Sequence, residues 1–205
     1  MYLITLAPMI TTYQRHLREK MMHTKTYVWD PLVRFSHWTL VLAFTIAYLS
    51  GDEENALHVY SGYYILGLIA VRIIWGLIGT HYARFSHFAF SPAAVVDYLK
   101  GFIGAGSGKQ YTGHNPAGSW MVIIMLLSLL ATGLSGLLVY GLEGYGPLAQ
   151  SSSEFWEDAW EEIHELFANF TVLLVLVHIG GVIASSLKQG QNLVKSMVNG
   201  YKQDK

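Results

Sequence analysis

The chain has 205 residues, of which 52% are hydrophobic and 13% are charged, and its formal net charge is -1. This charged share is about half that of an average soluble domain, so the composition favours one membrane domain, and no nucleic-acid partner is expected. Cysteine is absent, which excludes iron–sulfur clusters, thiolate zinc sites, disulfides and covalently attached haem.

Residues 1–26 are predicted to form an N-terminal tail, followed by a membrane domain at 27–200 and a C-terminal tail at 201–205. The segment Tyr2–Ile10 is mildly apolar, but no basic stretch precedes it and a charged stretch follows it. It therefore does not match a secretory signal peptide. Two interpretations remain open: a disordered tail, or a natural start at Met21 or Met22.

Four segments are long and apolar enough to cross about 30 Å of hydrocarbon, which takes about 20 helical residues. An N-cap residue followed by proline, Asp30-Pro31, marks the start of the first one. The pattern predicts an all-α bundle of four transmembrane helices surrounded by membrane lipid. The predicted spans are Leu32–Ser50, Leu57–Gly79, Ser119–Tyr140 and Ile163–Leu187.

The loop of about 40 residues between the second and third spans has its own pattern. Ser91-Pro92 followed by the run 93–103 predicts a short amphipathic helix lying on the cytoplasmic membrane surface. The glycine-rich stretch 104–108 is predicted to be a flexible linker.

The distribution of charge predicts the orientation. An even number of spans puts both ends of the chain on one side, and the loops on the other side, 51–56 and 142–162, contain no Lys or Arg. By the positive-inside rule, both termini are predicted to be cytoplasmic. The basic residues are Arg15, Arg18, Lys20, Lys25, Arg34, Arg72, Arg84, Lys100, Lys109, Lys188, Lys195, Lys202 and Lys205. The outer loops carry Asp52, Glu53, Glu54, Glu143, Glu154, Glu157, Asp158, Glu161 and Glu162.

Nine histidines are present, and they divide into two groups. The first group falls in tails or loops, where solvated side chains are expected: His16, His23, His81, His87 and His114. The second group falls in or at the ends of spans, where a strongly polar group is costly and is usually functional: His37, His58, His164 and His178.

Depth in the membrane pairs the second group. His37 begins the first span on the inner side and His58 begins the second on the outer side, while the fourth span places His164 outside and His178 inside. His164 and His178 are 14 residues apart, so they share one helix face at a separation of about 21 Å. This pattern predicts two haems, each held between two imidazoles. Interhelical hydrogen bonds are the alternative; zinc is disfavoured because each pair offers only two ligands.

Two further residues share the helix face of His58. Gly62 is predicted to let a flat macrocycle approach the backbone. Arg72 lies toward the inner end, where it would pair with a propionate of the inner haem. The alternative for Arg72 is a side chain that extends to the membrane interface.

Several motifs resemble the prokaryotic cytochrome b561 family, which includes the cytochrome b subunits of nickel–iron hydrogenases. The likeness covers residues 27–200. The similar segments are Val28–Trp38 (VWDPLVRFSHW), Leu57–Tyr63 (LHVYSGY), Arg72–Gly76 (RIIWG), Ala83–Ser86 (ARFS), His164–Leu166 (HEL) and Val177–His178. The resemblance implies a four- or five-helix bundle in the bacterial inner membrane, with two haem b groups on His37, His58, His164 and His178.

The resemblance also implies a role in a respiratory chain. The expected function is electron transfer between quinones and a periplasmic partner, either a c-type cytochrome or an oxidoreductase, with a homodimer as one assembly. Two alternatives stay open: a stand-alone superoxide:quinone oxidoreductase, which the acidic outer face disfavours, and a haem-free membrane transporter or scaffold.

Overall fold

The computed structural model describes residues 25–51, 56–88, 90–104, 106, 111–149 and 154–203. Residues 1–24 and most of the predicted linker at 104–108 lie outside this set. The regular elements, in chain order, are β1 (Lys25–Tyr27), α1 (Pro31–Leu49), α2 (Ala56–Ile78), α3 (Pro92–Lys100), α4 (Pro116–Leu142), α5 (Glu154–Gln189), α6 (Leu193–Asn199) and β2 (Tyr201–Gln203).

Four helices, α1, α2, α4 and α5, are long and apolar enough to cross a membrane, as the sequence predicts. α1 and α4 each begin at a proline behind a side chain that caps the helix, Asp30 and Asn115. The main difference lies in α5, which begins at Glu154, whereas the sequence predicts a start at Ile163. With 36 residues, α5 is about 54 Å long and exceeds the hydrocarbon thickness, so half of the acidic outer segment is helical.

The core lies where three spans meet. α1 packs along α2, α2 packs on α4, and α4 packs along α5. Most other apolar side chains on the spans point outward, as expected for helices that face lipid; Leu77, for example, is 66% exposed. The buried core residues are Ala43, Ala47, Ile65, Ile69 and Leu129.

A cluster of hydroxyl side chains lies in the contact between α4 and α5. The hydroxyl groups of Ser128 and Thr171 are 2.6 Å apart, and Thr132 lies 3.3 Å from the Thr171 hydroxyl. Thr171 is completely buried. Small hydroxyl side chains let membrane helices approach closely and hydrogen-bond across the interface, so this contact fixes the position of α5 along α4.

Asp30 ties the start of α1 to the end of α2. Its carboxylate accepts hydrogen bonds from Val33 N (3.0 Å), Trp75 Nε1 (3.0 Å) and Thr80 Oγ1 (2.6 Å). Burial alone raises the pKa of this carboxyl, but the donated hydrogen bonds outweigh it and hold the pKa below its usual value.

A two-stranded antiparallel sheet closes the end of the bundle that the sequence analysis predicts to be cytoplasmic, called the inner end below. β1 pairs with β2 so that Lys25 faces Gln203 and Tyr27 faces Tyr201. Residues 201–203, which the sequence analysis assigns to the C-terminal tail, are therefore part of this sheet. Lys202 is 6% exposed and donates from Nζ to Gly113 O at 2.8 Å, so β2 also anchors the loop before α4.

α3 is the short helix that the loop pattern predicts. Ser91 caps it by accepting a hydrogen bond from Ala94 N, and a short 3₁₀ turn, Gly101–Ile103, follows it. Lys188 at the end of α5 donates to Gly101 O and lies 4.3 Å from the Phe102 ring centre. The placement of α3 on the membrane surface stays a prediction.

Candidate functional site

The structure brings the four span histidines together as two pairs. The ring centres of His58 and His164 are 6.0 Å apart with an interplanar angle of 87°, and those of His37 and His178 are 6.4 Å apart at 54°. These are the partners that depth in the membrane predicts.

The ring separations can be compared with the space that one metal ion needs. A ring nitrogen lies about 1.1 Å from the imidazole centre and a metal–imidazole bond is about 2.0 Å, so two imidazoles on opposite sides of one metal have centres about 6.2 Å apart. Both measured separations lie close to that value. Within the described residues, no group of three or more His, Cys, Asp or Glu side chains could hold a metal ion. Each pair would therefore hold a haem iron with two imidazoles more readily than it would complete a zinc site.

At the outer pair, the last turn of α1 orients His58. The Nδ1 atom of His58 lies 2.9 Å from Ala47 O. Ala47 is one of the last four residues of α1, whose carbonyl groups have no partner within the helix. A carbonyl oxygen only accepts, so Nδ1 of His58 carries the proton and Nε2 keeps its lone pair for a ligand.

His164 is oriented by a carbonyl in the middle of α4. Its Nδ1 lies 2.9 Å from Thr132 O and 3.2 Å from the Ser135 hydroxyl. Because Gly136 has no side chain, the His164 ring has the space to reach this carbonyl. A Cβ at Gly136 would lie 2.8 Å from Cε1 of His164. The carbonyl fixes the same tautomer in His164 as in His58, with the proton on Nδ1. Both outer rings therefore offer Nε2 as the ligand atom.

The inner pair has a different environment. His37 packs edge-on against Trp38, with ring centres 5.2 Å apart. Its Nδ1 atom is buried, and no hydrogen-bond partner reaches it in the part of the chain that the structure describes. The inner rings therefore lie side by side like the outer ones. Unlike each outer ring, however, the ring of His37 has no carbonyl acceptor among the described residues to orient it.

The glycines beside the pairs leave room for a flat group. A Cβ at Gly62, one turn beyond His58, would meet no atom within 4 Å, and the same holds for Gly180 and Gly181 next to His178. Such positions let a macrocycle approach the helix backbone. The space beside Gly62 is compatible with the predicted approach of a macrocycle, which stays a prediction.

Arg72 lies at the inner end of α2. Its guanidinium donates to Ala83 O at 3.2 Å and lies 4.9 Å from the centre of the Phe85 ring. These contacts tie the half-buried side chain to the loop that follows α2, so both interpretations of Arg72 stay open. Pairing with a propionate stays a prediction.

The sequence analysis did not identify two features of the site. The first is the hydroxyl stripe of Ser128, Thr132 and Ser135, whose spacing of four and three residues on an apolar helix was a readable signal. The second is His114, which was expected to be solvated. It packs between Trp29 and Phe88, with ring centres at 4.7 and 4.3 Å, and these contacts had no sequence signal.

Imidazole pairs at two depths in a bundle of membrane-spanning helices are typical of the class of membrane proteins that hold haem between helices. A sequence model described as prokaryotic cytochrome b561 matches residues 28–200. The chain belongs to the prokaryotic cytochrome b561 family. Membership of a b-type cytochrome family implies haem b as the cofactor.

Three relatives cover nearly the whole chain, and each is described as a probable Ni/Fe-hydrogenase B-type cytochrome subunit. The relative from Cupriavidus necator is 28% identical and is aligned over 86% of both chains. The relative from Rhodobacter capsulatus is 23% identical over 87% of this chain and 82% of its own. The relative from Rhizobium leguminosarum bv. viciae is 22% identical over 90% and 92%. No solved structure matches the chain significantly.

Proposed function

We propose that this protein is an electron-transfer subunit of the bacterial inner membrane that holds two haem b groups and links the quinone pool to a periplasmic oxidoreductase. The observation that carries the proposal is the presence of two histidine pairs at different depths. Both pairs draw one member from α5, at positions about 21 Å apart along the helix axis. Haem b supplies one-electron redox chemistry when bound.

The residues of the chain have separate tasks in this proposal. His58 and His164 hold the outer haem, and His37 and His178 hold the inner one. The hydrogen bond from Nδ1 of His164 to Thr132 O fixes the ring and raises its basicity as a ligand. The apolar cluster between α1, α2 and α4 excludes water from the space between the two sites.

The oxidoreductase is proposed to be of the hydrogenase type, because the curated relatives carry that description. The outer part of α5 offers a surface for it: Phe155 and Trp156 are 70% and 56% exposed. Four acidic residues follow on the next turns, Glu157, Asp158, Glu161 and Glu162. With the termini in the cytoplasm, this surface faces the periplasm.

Haem content tests the core of the proposal. The purified protein is expected to show b-type absorption bands and two low-spin haems per chain. A colourless protein would support the scaffold or transporter instead, and a single haem per chain would overturn the two-site assignment. Reduction of the haems by superoxide at a rate above that with a hydrogenase or a soluble c-type cytochrome would favour the superoxide:quinone oxidoreductase.

Salt dependence tests the outer surface. Complementary charge raises the association rate, and the Debye length falls from about 30 Å at 0.01 M salt to about 10 Å at 0.1 M. Electron transfer to the partner should slow over this range. Changing the four acidic residues to Gln and Asn together should remove the salt effect while both haems remain. A rate that ignores both salt and the substitutions would reject docking at this surface.

A further inference from the structure

The two histidines that α5 contributes to the pairs belong to a longer pattern on that helix. From His164 onward, every seventh position is occupied by His164, Thr171, His178 and Ser185. Seven residues turn an α-helix by about 700°, within about 20° of two full turns, and advance it by about 10.5 Å. These four side chains therefore share one face of α5, and Thr171 lies midway between the two ligands.

This face is the one that α5 buries. Of residues 155–189, whose burial the structure describes throughout, only Thr171 and Ser185 are buried, and Thr171 is 0% exposed. Nearby side chains on other faces are much more open, since Phe170 is 44% exposed and Leu173 is 55% exposed. Between the two histidines, α5 is thus anchored in the bundle at Thr171.

A buried hydroxyl group needs hydrogen-bond partners, and those of Thr171 come from both helices. Thr171 donates its one hydroxyl proton to Phe167 O within α5, at 2.8 Å. Because that proton is used, the Ser128 hydroxyl at 2.6 Å is the donor of the bond that crosses to α4. The Thr132 hydroxyl, one turn further along α4, lies 3.3 Å away. The oxygen of Thr171 is therefore the atom at which hydroxyl groups of α4 hold α5.

One residue of α4 links this contact to the outer ligand. The side chain of Thr132 faces Thr171, and its carbonyl oxygen lies 2.9 Å from Nδ1 of His164. A small rotation or slide of α5 at Thr171 would therefore move the His164 ring relative to its acceptor. His178 lies on the same helix two turns to the other side, so the same movement would shift its ring relative to His37.

We propose that Thr171 is a positioning residue for both haem sites, whose hydroxyl fixes the rotation and height of α5 so that His164 and His178 meet their partners. The proposal rests on the two-haem function above. Thr171 acts through the two imidazoles and does not contact the reacting groups. Packing alone is the alternative, because an apolar side chain of the same shape would fill the same space.

Two substitutions at this position separate the hydroxyl group from the shape of the side chain. Thr171→Val keeps the shape and removes the hydroxyl, whereas Thr171→Ser keeps the hydroxyl and removes a methyl group. Thr45→Val is the matched control on α1. The side chain of Thr45 is exposed, and its hydroxyl donates to Val41 O of its own helix at 2.8 Å.

The haem-loaded full chain is measured by EPR spectroscopy and redox titration. The g values of a low-spin haem depend on the angle between its two imidazole planes, so they should shift for both haems in Thr171→Val. The equilibrium constant for reduction of the outer haem should rise about five-fold, which is about 40 mV at 59 mV per ten-fold. The reason is a weaker hydrogen bond from His164 to Thr132 O. Thr171→Ser and Thr45→Val should match the wild type.

A shift in Thr171→Ser as large as that in Thr171→Val, or larger, would show that packing decides and would overturn the proposal. Shifts confined to one haem, or an equal shift in Thr45→Val, would also overturn it. If Thr171→Val binds no haem, Ser128→Ala decides, because it removes the donor from α4 and leaves Thr171 its bond to Phe167 O. Ser128→Ala should shift the g values of both haems, and unchanged values would reject the positioning role.

The same measurements separate this proposal from the proposed function. A wild-type protein without two haems would contradict the proposed function itself. Two low-spin haems in the wild type, with unchanged g values and potentials in Thr171→Val, would overturn the role of Thr171 alone.

Discussion

The outer and inner histidine pairs have nearly the same ring separation, 6.0 and 6.4 Å, but different support. Both outer rings lie against helix carbonyl groups, Ala47 O and Thr132 O. At the inner pair, no described residue hydrogen-bonds Nδ1 of His37. Hydrogen bonds from the polypeptide thus orient the outer rings, whereas His37 is positioned by ring packing against Trp38.

This difference has a chemical consequence. A hydrogen bond from the second ring nitrogen to a carbonyl makes an imidazole a stronger donor to a metal and stabilises the oxidised ion. The outer site should therefore have the lower reduction potential. If Arg72 pairs with a propionate of the inner haem, as the sequence predicts, its positive charge would favour the reduced form and add to the difference.

The largest expected effect is the loss of one haem. His164→Ala should remove the outer haem and His178→Ala the inner one, because each leaves a single axial ligand. Haem content should fall from two to about one per chain, measured by the pyridine haemochrome assay. If either variant keeps two low-spin haems with unchanged spectra, the assignment of that ligand is wrong.

Gly136→Ala should affect the outer site selectively. The new Cβ would lie 2.8 Å from the His164 ring, so the ring must leave its carbonyl partner. Alanine is the better helix former by about 1 kcal/mol, so any loss is steric. We expect most of the outer haem to be lost with the inner one retained, as judged by absorption and EPR spectra.

Gly67→Ala is the control for glycine replacement, since a Cβ there meets nothing within 4 Å. It should leave both haems intact. Equal haem loss in the Gly67 and Gly136 variants would contradict the steric explanation.

Gly62→Ala should have a smaller effect on the same site. The position is as open as Gly67 on the same helix, but only Gly62 lies one turn from His58. A partial loss or a spectral shift of the outer haem is expected for Gly62→Ala alone. Identical spectra for the Gly62 and Gly67 variants would remove Gly62 from the haem site.

The two single-haem variants allow the potentials to be compared directly. A net hydrogen bond of about 1 kcal/mol corresponds to about 40 mV for one electron. Redox titration should give the outer haem, retained in His178→Ala, a potential lower by about this amount than the inner haem retained in His164→Ala. The reverse order would reject the role of the carbonyl hydrogen bonds.

The last expected effect concerns the pH dependence of stability rather than the haem sites. Burial lowers the pKa of Lys202 from 10.5 to about 8. Between these two values the unfolded chain binds the extra proton, so stability rises with pH across that window. Lys202→Met should flatten this rise by about 1–3 kcal/mol. The check is the thermal midpoint at pH 7.5 and pH 10; an equal rise in both proteins would contradict the burial of a charged Lys202.

The sequence predicts the spans and the depth of the four histidines because hydropathy and helical phase are local properties. It also shows that His164 and His178 share one face. The start of α5 at Glu154 was missed because the predicted span includes only the apolar stretch that hydrocarbon requires, although acidic residues are typical of a first helical turn. The sequence also cannot give the role of Gly136 or the burial of His114, which depend on contacts between residues far apart in the chain.

The pairing of β1 with β2 brings the first and last residues that the structure describes close together. Lys25 lies opposite Gln203, so the described part of the chain starts and ends at neighbouring points. Such proteins accept circular permutation when the new ends fall in an exposed turn. Joining the two ends by a short linker and opening the chain between α1 and α2 would move both termini to the opposite side of the bundle while all four spans and both histidine pairs are kept.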